Sequence, residues 1–238
     1  MNRKKSSNVS RVEPKNPLQQ QFITAITNKN VVFATGSAGS GKTFLAAAKA
    51  LEYLDFGFVG RIVIVRPVVA TENIGFLPGD MKEKLDPYLL PLMDAFITLS
   101  NPKRVQDLVQ TGEIEVAPLA FMRGRTFSDA FIILDEAQNT TIDQMRMFLT
   151  RFGENVKVVI TGDLSQSDLS GENGLAWAIK VLEDCDEIAT IKYSKDHVVR
   201  SGLVKTLLKY IELHDDKSKK TNQRNVSGFI RPAVVGEG

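Results

Sequence analysis

A glycine-rich stretch near the start of the chain, Val31 to Thr43 (VVFATGSAGSGKT), carries residue types that bind polyphosphates. Gly36 and the run Gly41–Thr43 fit G-x-x-x-x-G-K-[ST], the P-loop pattern. Glycines let the backbone turn so that successive N–H groups face an anion, and the following helix adds its positive dipole end. A lysine at this position reaches the β- and γ-phosphates, and the adjacent hydroxyl ligates Mg²⁺. The residues predicted to bind ATP are Gly36, Ser37, Ala38, Gly39, Ser40, Gly41, Lys42 and Thr43.

Two adjacent carboxylates, Asp135 and Glu136, directly follow the wholly apolar run Phe131–Leu134. Such a run predicts a strand buried on both faces, and ligands of open parallel sheets bind at the carboxyl ends of strands. Asp135 is therefore placed to hold Mg²⁺, and Glu136 to polarise an attacking water as general base. Helix capping is the alternative role, but Asn139–Thr141 lie closer to the next predicted helix.

The elements that must position these residues alternate between strands and helices, which is typical of a parallel sheet covered on both faces. The predicted strands are Val31–Phe33, Arg61–Arg66, Glu113–Ala117, Phe131–Leu134, Val156–Thr161 and Glu187–Tyr193. The predicted helices are Asn16–Asn28, Lys42–Phe56, Pro102–Gln110, Ile142–Phe152, Gly174–Leu182 and Ser201–Leu213, with two short or kinked helices between Met81 and Ser100. We expect an α/β fold in a single domain over residues 16–213, with flexible segments at 1–15 and 214–238.

The composition narrows the class of protein. Across 238 residues, 30 basic and 28 acidic side chains leave a net charge of +2, so only a local patch would attract nucleic acid. The single cysteine, Cys185, excludes an internal disulfide and suits a reducing, cytoplasmic setting. The sequence contains no apolar run of membrane-spanning length and no secretory signal pattern, so we expect no membrane partner.

Longer runs around these motifs resemble a known family. The order of GSAGSGKT, LDEAQN and TGDLSQ, with Asn16-x-x-Gln19 upstream, is similar to that of superfamily 1 helicases. The runs EVAPLAFMRGRTFSDAFIILDEAQNTT, QMRMFLTRFG and VVITGDLSQSDL resemble the PhoH family, the phosphate-starvation-inducible ATPases. The resemblance implies a RecA-like P-loop NTPase core, Mg²⁺-dependent ATP hydrolysis, a homo-oligomeric ring such as a hexamer, and action on single-stranded RNA or DNA.

The resemblance also implies roles for three further residues. Gln19 would read the adenine edge, and Gln166 would sense the γ-phosphate. Arg200 would stabilise transition-state charge as an arginine finger, in cis or from a neighbouring subunit, although a surface cation at a helix start is an equal alternative. Superfamily 1 helicases have two RecA-like domains and this chain has length for one, which favours an oligomer that completes the site.

Nucleic-acid contact is predicted at two places. Arg66 follows the second predicted strand, where the helicases have a strand-gripping loop. Arg123 and Arg125 form an Arg-Gly-Arg loop flanked by Phe121 and Phe127, either of which would stack on bases. Two alternatives remain here, because Phe127 fits the core and Arg125 fits the ATP site equally well.

Three functions are compatible with these residues. The first is an ATPase that couples hydrolysis to movement on, unwinding of, or remodelling of a single strand. The second is a P-loop kinase, against which Glu136 beside Asp135 and the lack of an Arg-rich lid both count. The third is an assembly or interaction protein that is gated by nucleotide and has no motor activity.

Overall fold

The computed structural model describes residues 12–67, 92–169, 171 and 173–194, together with residues 206, 207 and 210. The chain divides into two compact units, Met1–Val198 and Val199–Gly238. In the second unit only residues 206, 207 and 210 are described, and they are helical. The single domain over residues 16–213 therefore stays a prediction.

One six-stranded sheet organises the first unit. Its strands are β1 (Val31–Thr35), β2 (Arg61–Arg66), β3 (Ile114–Pro118), β4 (Ala130–Leu134), β5 (Val156–Gly162) and β6 (Ile188–Lys192). Every pairing is parallel and the spatial order is β3-β2-β4-β5-β1-β6. The mainly parallel sheet predicted from the sequence is thus confirmed. Because β5 lies between β1 and β4, the P-loop and the acidic pair end at the same sheet edge with one strand between them.

Most helices begin at a side chain that caps their first turn. The helices are α1 (Pro17–Asn28), α2 (Lys42–Asp55), α3 (Pro102–Gln110), α4 (Ile142–Leu149) and α5 (Gly174–Val181), and residues 92–99 are also helical. In α4 the Thr141 hydroxyl accepts from the Gln144 N–H while the Gln144 side chain accepts from the Thr141 N–H. This reciprocal capping box satisfies two backbone donors that a helix start leaves open.

Apolar side chains cover both faces of the sheet, as the alternation of elements predicts. On one face α1, α2, α3 and residues 92–99 pack on residues such as Val32, Ile64 and Phe131. On the other face α4 and α5 pack on residues such as Phe33, Ile132 and Ile160. Strand residues therefore alternate between two cores, which explains why residues 62–65 of β2 and all of β4 read as continuous apolar runs. Among the described residues, no helix has the length and apolarity needed to cross a bilayer.

Two predicted segments differ from the structure. The helix predicted over Ile142–Phe152 ends at Leu149, because Phe152 forms a β-bridge with Phe127 and the Gly153 N–H donates to the Phe127 carbonyl at 2.8 Å. Pairing with a distant segment overrides the local helical pattern here. The predicted loop after β3 contains a short 3₁₀ helix, Leu119–Met122. Of the two helices predicted between Met81 and Ser100, the part before residue 92 lies outside the described residues.

Candidate nucleotide-binding site

The loop between β1 and α2 depends on glycine backbone geometry. Gly36, Gly39 and Gly41 adopt φ angles of 133°, 80° and 85°, which side-chain-bearing residues rarely reach. A Cβ on Gly36 would lie 2.2 Å from the Tyr193 carbonyl oxygen, so a larger residue would collide with backbone. Helix α2 begins at the end of this loop, which puts its positive dipole end at the cavity described below.

The ammonium group of Lys42 is folded back onto the loop. Its Nζ donates to the carbonyl oxygens of Gly36 at 2.5 Å and Ser37 at 3.0 Å, and to the Ser40 hydroxyl at 3.1 Å. Burial lowers the pKa of Lys42, while the negative charges of Asp163, Asp135 and Glu136 act in the opposite direction. When a nucleotide binds, its charged phosphate oxygens would replace these neutral oxygen partners of Lys42.

Thr43 and Asp135 meet at the junction of the P-loop and β4. The Asp135 carboxylate oxygen Oδ1 accepts from the Thr43 hydroxyl at 2.9 Å and from the Thr161 hydroxyl at 2.5 Å. A hydroxyl and a carboxylate are the hard oxygen donors that Mg²⁺ prefers. In addition, Asp163 Oδ2 is buried and has no hydrogen-bond partner among the described residues. This donor set therefore fits a magnesium ion that accompanies a nucleotide.

Glu136 occupies a turn that aims its side chain at the same place. Its φ and ψ of 55° and 38° are left-handed, an arrangement found in only three non-glycine residues of the described part. Such backbone is unfavourable without compensation and is concentrated at functional sites. One carboxylate oxygen, Oε1, lies 3.4 Å from Arg66 Nη2, and the other, Oε2, accepts from Gln138 Nε2 at 2.6 Å.

A cavity of about 240 Å³ joins these residues. Its lining comprises Ala38, Gly39, Gly41, Lys42, Thr43, Phe44, Asp135, Glu136, Gly162, Asp163 and Gln166. Most of the predicted ATP-binding loop, both predicted carboxylates and the predicted γ-phosphate sensor thus share one cavity. Chain segments more than 90 residues apart in sequence, from Lys42 to Asp135, supply its opposing walls.

Comparison with protein-family models identifies the family to which the chain is related. A family model described as PhoH-like protein matches residues 11–212. The chain belongs to the PhoH family. The resemblance seen in the sequence motifs is therefore confirmed, and the match spans residues 11–212.

Named PhoH relatives are similar over most of this chain. A PhoH-like protein of Mycobacterium bovis is 47% identical over 222 residues, which cover 91% of this chain and 63% of the relative. Protein PhoH of Escherichia coli is 43% identical over 208 residues, which cover 85% of this chain and 59% of the relative. The chain thus spans less than two thirds of the length of these relatives.

A solved structure supports the fold of this PhoH family chain. The large terminase of bacteriophage HK97 matches with a TM-score of 0.50 and 14% sequence identity, covering 77% of this chain and 40% of the terminase. At that identity the likeness concerns the fold alone. Together with the all-parallel sheet, it establishes the RecA-like P-loop architecture that was predicted.

The Gln19 carboxamide packs against the P-loop of this PhoH family chain. Its Nε2 donates to the Ser40 carbonyl at 3.0 Å, and its Oε1 accepts from the Lys15 N–H at 2.7 Å. A Cβ on Gly41 would lie 2.9 Å from Gln19 Nε2, so the side chain and the loop are in close contact. These contacts support the loop, and adenine recognition by Gln19 stays a prediction.

The predicted nucleic-acid residues separate into two groups. Arg66 ends β2 beside Glu136, and Arg123 is exposed after the 3₁₀ helix that follows β3. Arg125 instead forms an ion pair with Glu115 at 2.5 Å and packs over the Phe127 ring, with 4.5 Å between its guanidinium carbon and the ring centroid. Arg125 is not among the residues that line the ATP cavity.

The exposure of the two phenylalanines shows which ring is accessible for stacking on a base. Phe127 is fully buried, so the prediction that it stacks on bases is wrong and its core alternative is correct. Phe121 is 51% exposed and keeps a free face. Arg200 lies outside the described residues, and its role as a finger stays a prediction.

Among the residues of the site that were not assigned a role from the sequence, two hold the predicted carboxylates. Thr161 holds the Asp135 carboxylate, and Gln138 holds Glu136. Gln138 also accepts the Asp163 N–H through its Oε1 at 2.9 Å, so it joins the ends of β4 and β5. Their positions in the sequence could have indicated both residues. Each lies near the carboxyl end of a strand, and a predicted functional residue follows that strand.

Proposed function

We propose that this chain binds ATP with Mg²⁺ and hydrolyses it. The observation that carries the proposal is the contact between Thr43 and Asp135, with Glu136 lining the same cavity. A P-loop alone would fit nucleotide sensing or phosphate transfer to another substrate. A second carboxylate beside the metal-binding one favours activation of water, and hence hydrolysis over kinase activity.

The chain's own residues divide the work of this reaction. The backbone N–H groups of the loop and the start of α2 receive the phosphates, and Lys42 exchanges its carbonyl partners for phosphate oxygens. Thr43 and Asp135 would hold Mg²⁺, which supplies positive charge to the phosphate oxygens when bound. Glu136 accepts a proton from the water that attacks the γ-phosphorus, which yields ADP and inorganic phosphate.

We further propose that ATP hydrolysis drives movement on, unwinding of, or remodelling of single-stranded RNA or DNA. The active form would be a homo-oligomeric ring in the cytoplasm. Arg66 ends β2, and Phe121 and Arg123 follow the carboxyl end of β3, on the sheet edge that also carries the ATP cavity. They offer two cations and an exposed ring. Within the described lining of the cavity Lys42 is the sole cation, which leaves the place of an arginine finger to another segment or subunit. Arg200 is the candidate for that place.

ATP turnover by the purified chain, with and without single-stranded RNA and DNA, tests these proposals. We expect Lys42→Ala to lose tight ATP binding, and Glu136→Gln to bind ATP without turning it over. Lys49→Ala is the matched control, because Lys49 is another 8% exposed lysine on α2 that pairs with Glu52 outside the cavity. Hydrolysis at the wild-type rate by either the Lys42 or the Glu136 variant would refute the site assignment.

The response to nucleic acid separates the remaining functions. Stimulation by a strand supports the motor, whereas turnover that ignores both strands favours the assembly protein gated by nucleotide. For the ring, we expect light scattering to give a mass of several subunits. If Arg200 acts between subunits, mixing inactive Arg200→Ala and Glu136→Gln proteins should partly restore turnover, and no restoration would contradict that role.

A further inference from the structure

The proposed general base Glu136 is held by two side chains from different elements. Arg66, the last residue of β2, approaches Oε1 to 3.4 Å. Gln138, in the short 3₁₀ turn that follows β4, donates to Oε2 at 2.6 Å. The contact with Gln138 is formed by a buried side chain, whereas the contact with Arg66 is exposed to solvent. This difference indicates that the two side chains have different roles.

The contact with Gln138 is built into the interior. Gln138 is 2% exposed, and its Oε1 accepts the Asp163 N–H at 2.9 Å. A Cβ on Gly162 would lie 2.7 Å from that same oxygen, so the close packing needs glycine there. A buried amide that is hydrogen-bonded at both ends does not exchange its partners readily, since each unmade bond leaves a desolvated polar group. Gln138 therefore fixes Oε2 permanently and ties Glu136 to the end of β5.

The contact with Arg66 is looser and open to solvent. The Arg66 and Glu136 side chains are 26% and 40% exposed, and their separation is that of an ion pair without a short hydrogen bond. Ion pairs of this exposure contribute little to stability and are screened by salt. A phosphate group offers an arginine two oxygens and competes well for such a partner.

The position of Arg66 places it between the two proposed activities. In the sheet, β2 lies between β4, which leads into Glu136, and β3, which leads into Phe121 and Arg123. Arg66 is paired in register with Pro118 at the end of β3. A strand that contacts Arg123 and Phe121 would thus pass the ion pair between Arg66 and Oε1 of Glu136.

We propose that Arg66 is a releasable positioning residue that restrains Glu136 until a nucleic-acid phosphate takes over its guanidinium. The restraint itself is independent of strand binding, whereas the release rests on the proposed action on single strands. With Gln138 on Oε2, Oε1 is the oxygen left to accept a proton from the attacking water. While Arg66 approaches Oε1, that oxygen is turned towards a cation; after exchange it is available to the water. No bond is made or broken in this step.

Turnover without any nucleic acid tests the restraint. An exposed ion pair of typical strength changes a population by about two- to fivefold, so we expect Arg66→Ala to raise basal kcat by about that factor with KM for ATP unchanged. Arg66→Lys, which keeps the charge, should lie between wild type and Arg66→Ala. Arg61→Ala is the matched control, because Arg61 pairs with Glu115 at 3.5 Å on the same strand with similar exposure, and should leave kcat unchanged. Gln138→Leu should lower basal kcat, the opposite direction.

Melting temperatures establish that each variant is folded, and Arg66→Lys carries the test if Arg66→Ala is not. Unchanged or lower basal kcat in folded Arg66 variants overturns the restraint. Adding single-stranded RNA or DNA then tests the release: wild type should gain more than Arg66→Ala, and both should approach the same kcat at saturation. A wild type that ignores strands, beside a raised basal kcat in Arg66→Ala, overturns the proposed strand action and the release but supports the restraint.

Discussion

Replacing Thr161 by valine removes one of the two hydroxyls that hold the Asp135 carboxylate. Thr161 is fully buried, and its Oγ1 lies 2.5 Å from Asp135 Oδ1. Valine keeps the shape of the side chain apart from the hydroxyl. Hydrogen bonds to charged groups contribute about 1.5–3 kcal/mol, so the free energy of unfolding should fall by about that amount. For a unit of this size the melting temperature should fall by about 3–12 °C.

The same substitution should weaken magnesium binding. Of the two hydroxyl donors, Asp135 keeps only Thr43 in the variant. Loss of a partner that orients a metal ligand typically lowers metal affinity by about ten- to a hundredfold. We therefore expect the Mg²⁺ concentration for half-maximal nucleotide binding to rise by about tenfold or more, corresponding to at least about 1.4 kcal/mol. The KM for ATP at saturating Mg²⁺ should change little.

Release of a fluorescent ADP, followed while Mg²⁺ is titrated, measures this requirement independently of turnover. Thr140→Val is the matched control, because Thr140 is equally buried and donates to the Ala137 carbonyl at 2.7 Å instead of to a carboxylate. Both variants should melt lower than wild type, and only Thr161→Val should need more Mg²⁺. Matching magnesium titrations for Thr161→Val, Thr140→Val and wild type would refute the view that Thr161 orients Asp135.

Four further predictions concern stability. Burial raises the pKa of Tyr193. Above about pH 10 only the phenol of the unfolded chain ionises, so the free energy of unfolding falls as the pH rises further. Urea unfolding at pH 9 and 11 should show a smaller fall in this free energy for Tyr193→Phe than for wild type. That variant should also gain about 1 kcal/mol at neutral pH, because the hydroxyl is buried without a partner among the described residues, and a lower stability would contradict this. Gly36→Ala should destabilise more than Gly124→Ala in thermal melts, since both have positive φ but only the first Cβ meets a neighbour. Gly174→Ala should cost about 1–3 kcal/mol, because its Cβ would lie 2.5 Å from the Thr141 carbonyl oxygen; an unchanged melting temperature would contradict that packing.

The sequence predicted those parts of the site whose signal is local. The P-loop is recognisable because the glycines, Lys42 and Thr43 must follow one another along the chain. Asp135 and Glu136 are recognisable because an apolar strand precedes them directly. The structure confirms that the two motifs meet, since Thr43 donates to Asp135.

The contacts that orient these residues were not predicted, because they depend on sheet order. Thr161 reaches Asp135 only because β5 lies beside β4, and Gln138 reaches the Asp163 N–H for the same reason. Hydrophobic periodicity identifies strands but not their neighbours. The early end of α4 has a similar origin, since the bridge between Phe152 and Phe127 joins residues that no local pattern connects.

The strand order has a consequence for how the chain is made. Among the described strands, β1 pairs with β5 and β6, whereas β4 pairs with β2 and β5, and β2 also pairs with β3. During synthesis the P-loop strand emerges first of the six and waits for residue 156 before it gains a strand neighbour. Its backbone N–H and C=O groups have no strand partner for that interval, and long-range parallel pairing is slow. Nucleotide capture by a nascent chain would thus report that β5 has been inserted beside β1, and any chain that stops before β5 leaves the phosphate loop on a strand without a strand neighbour.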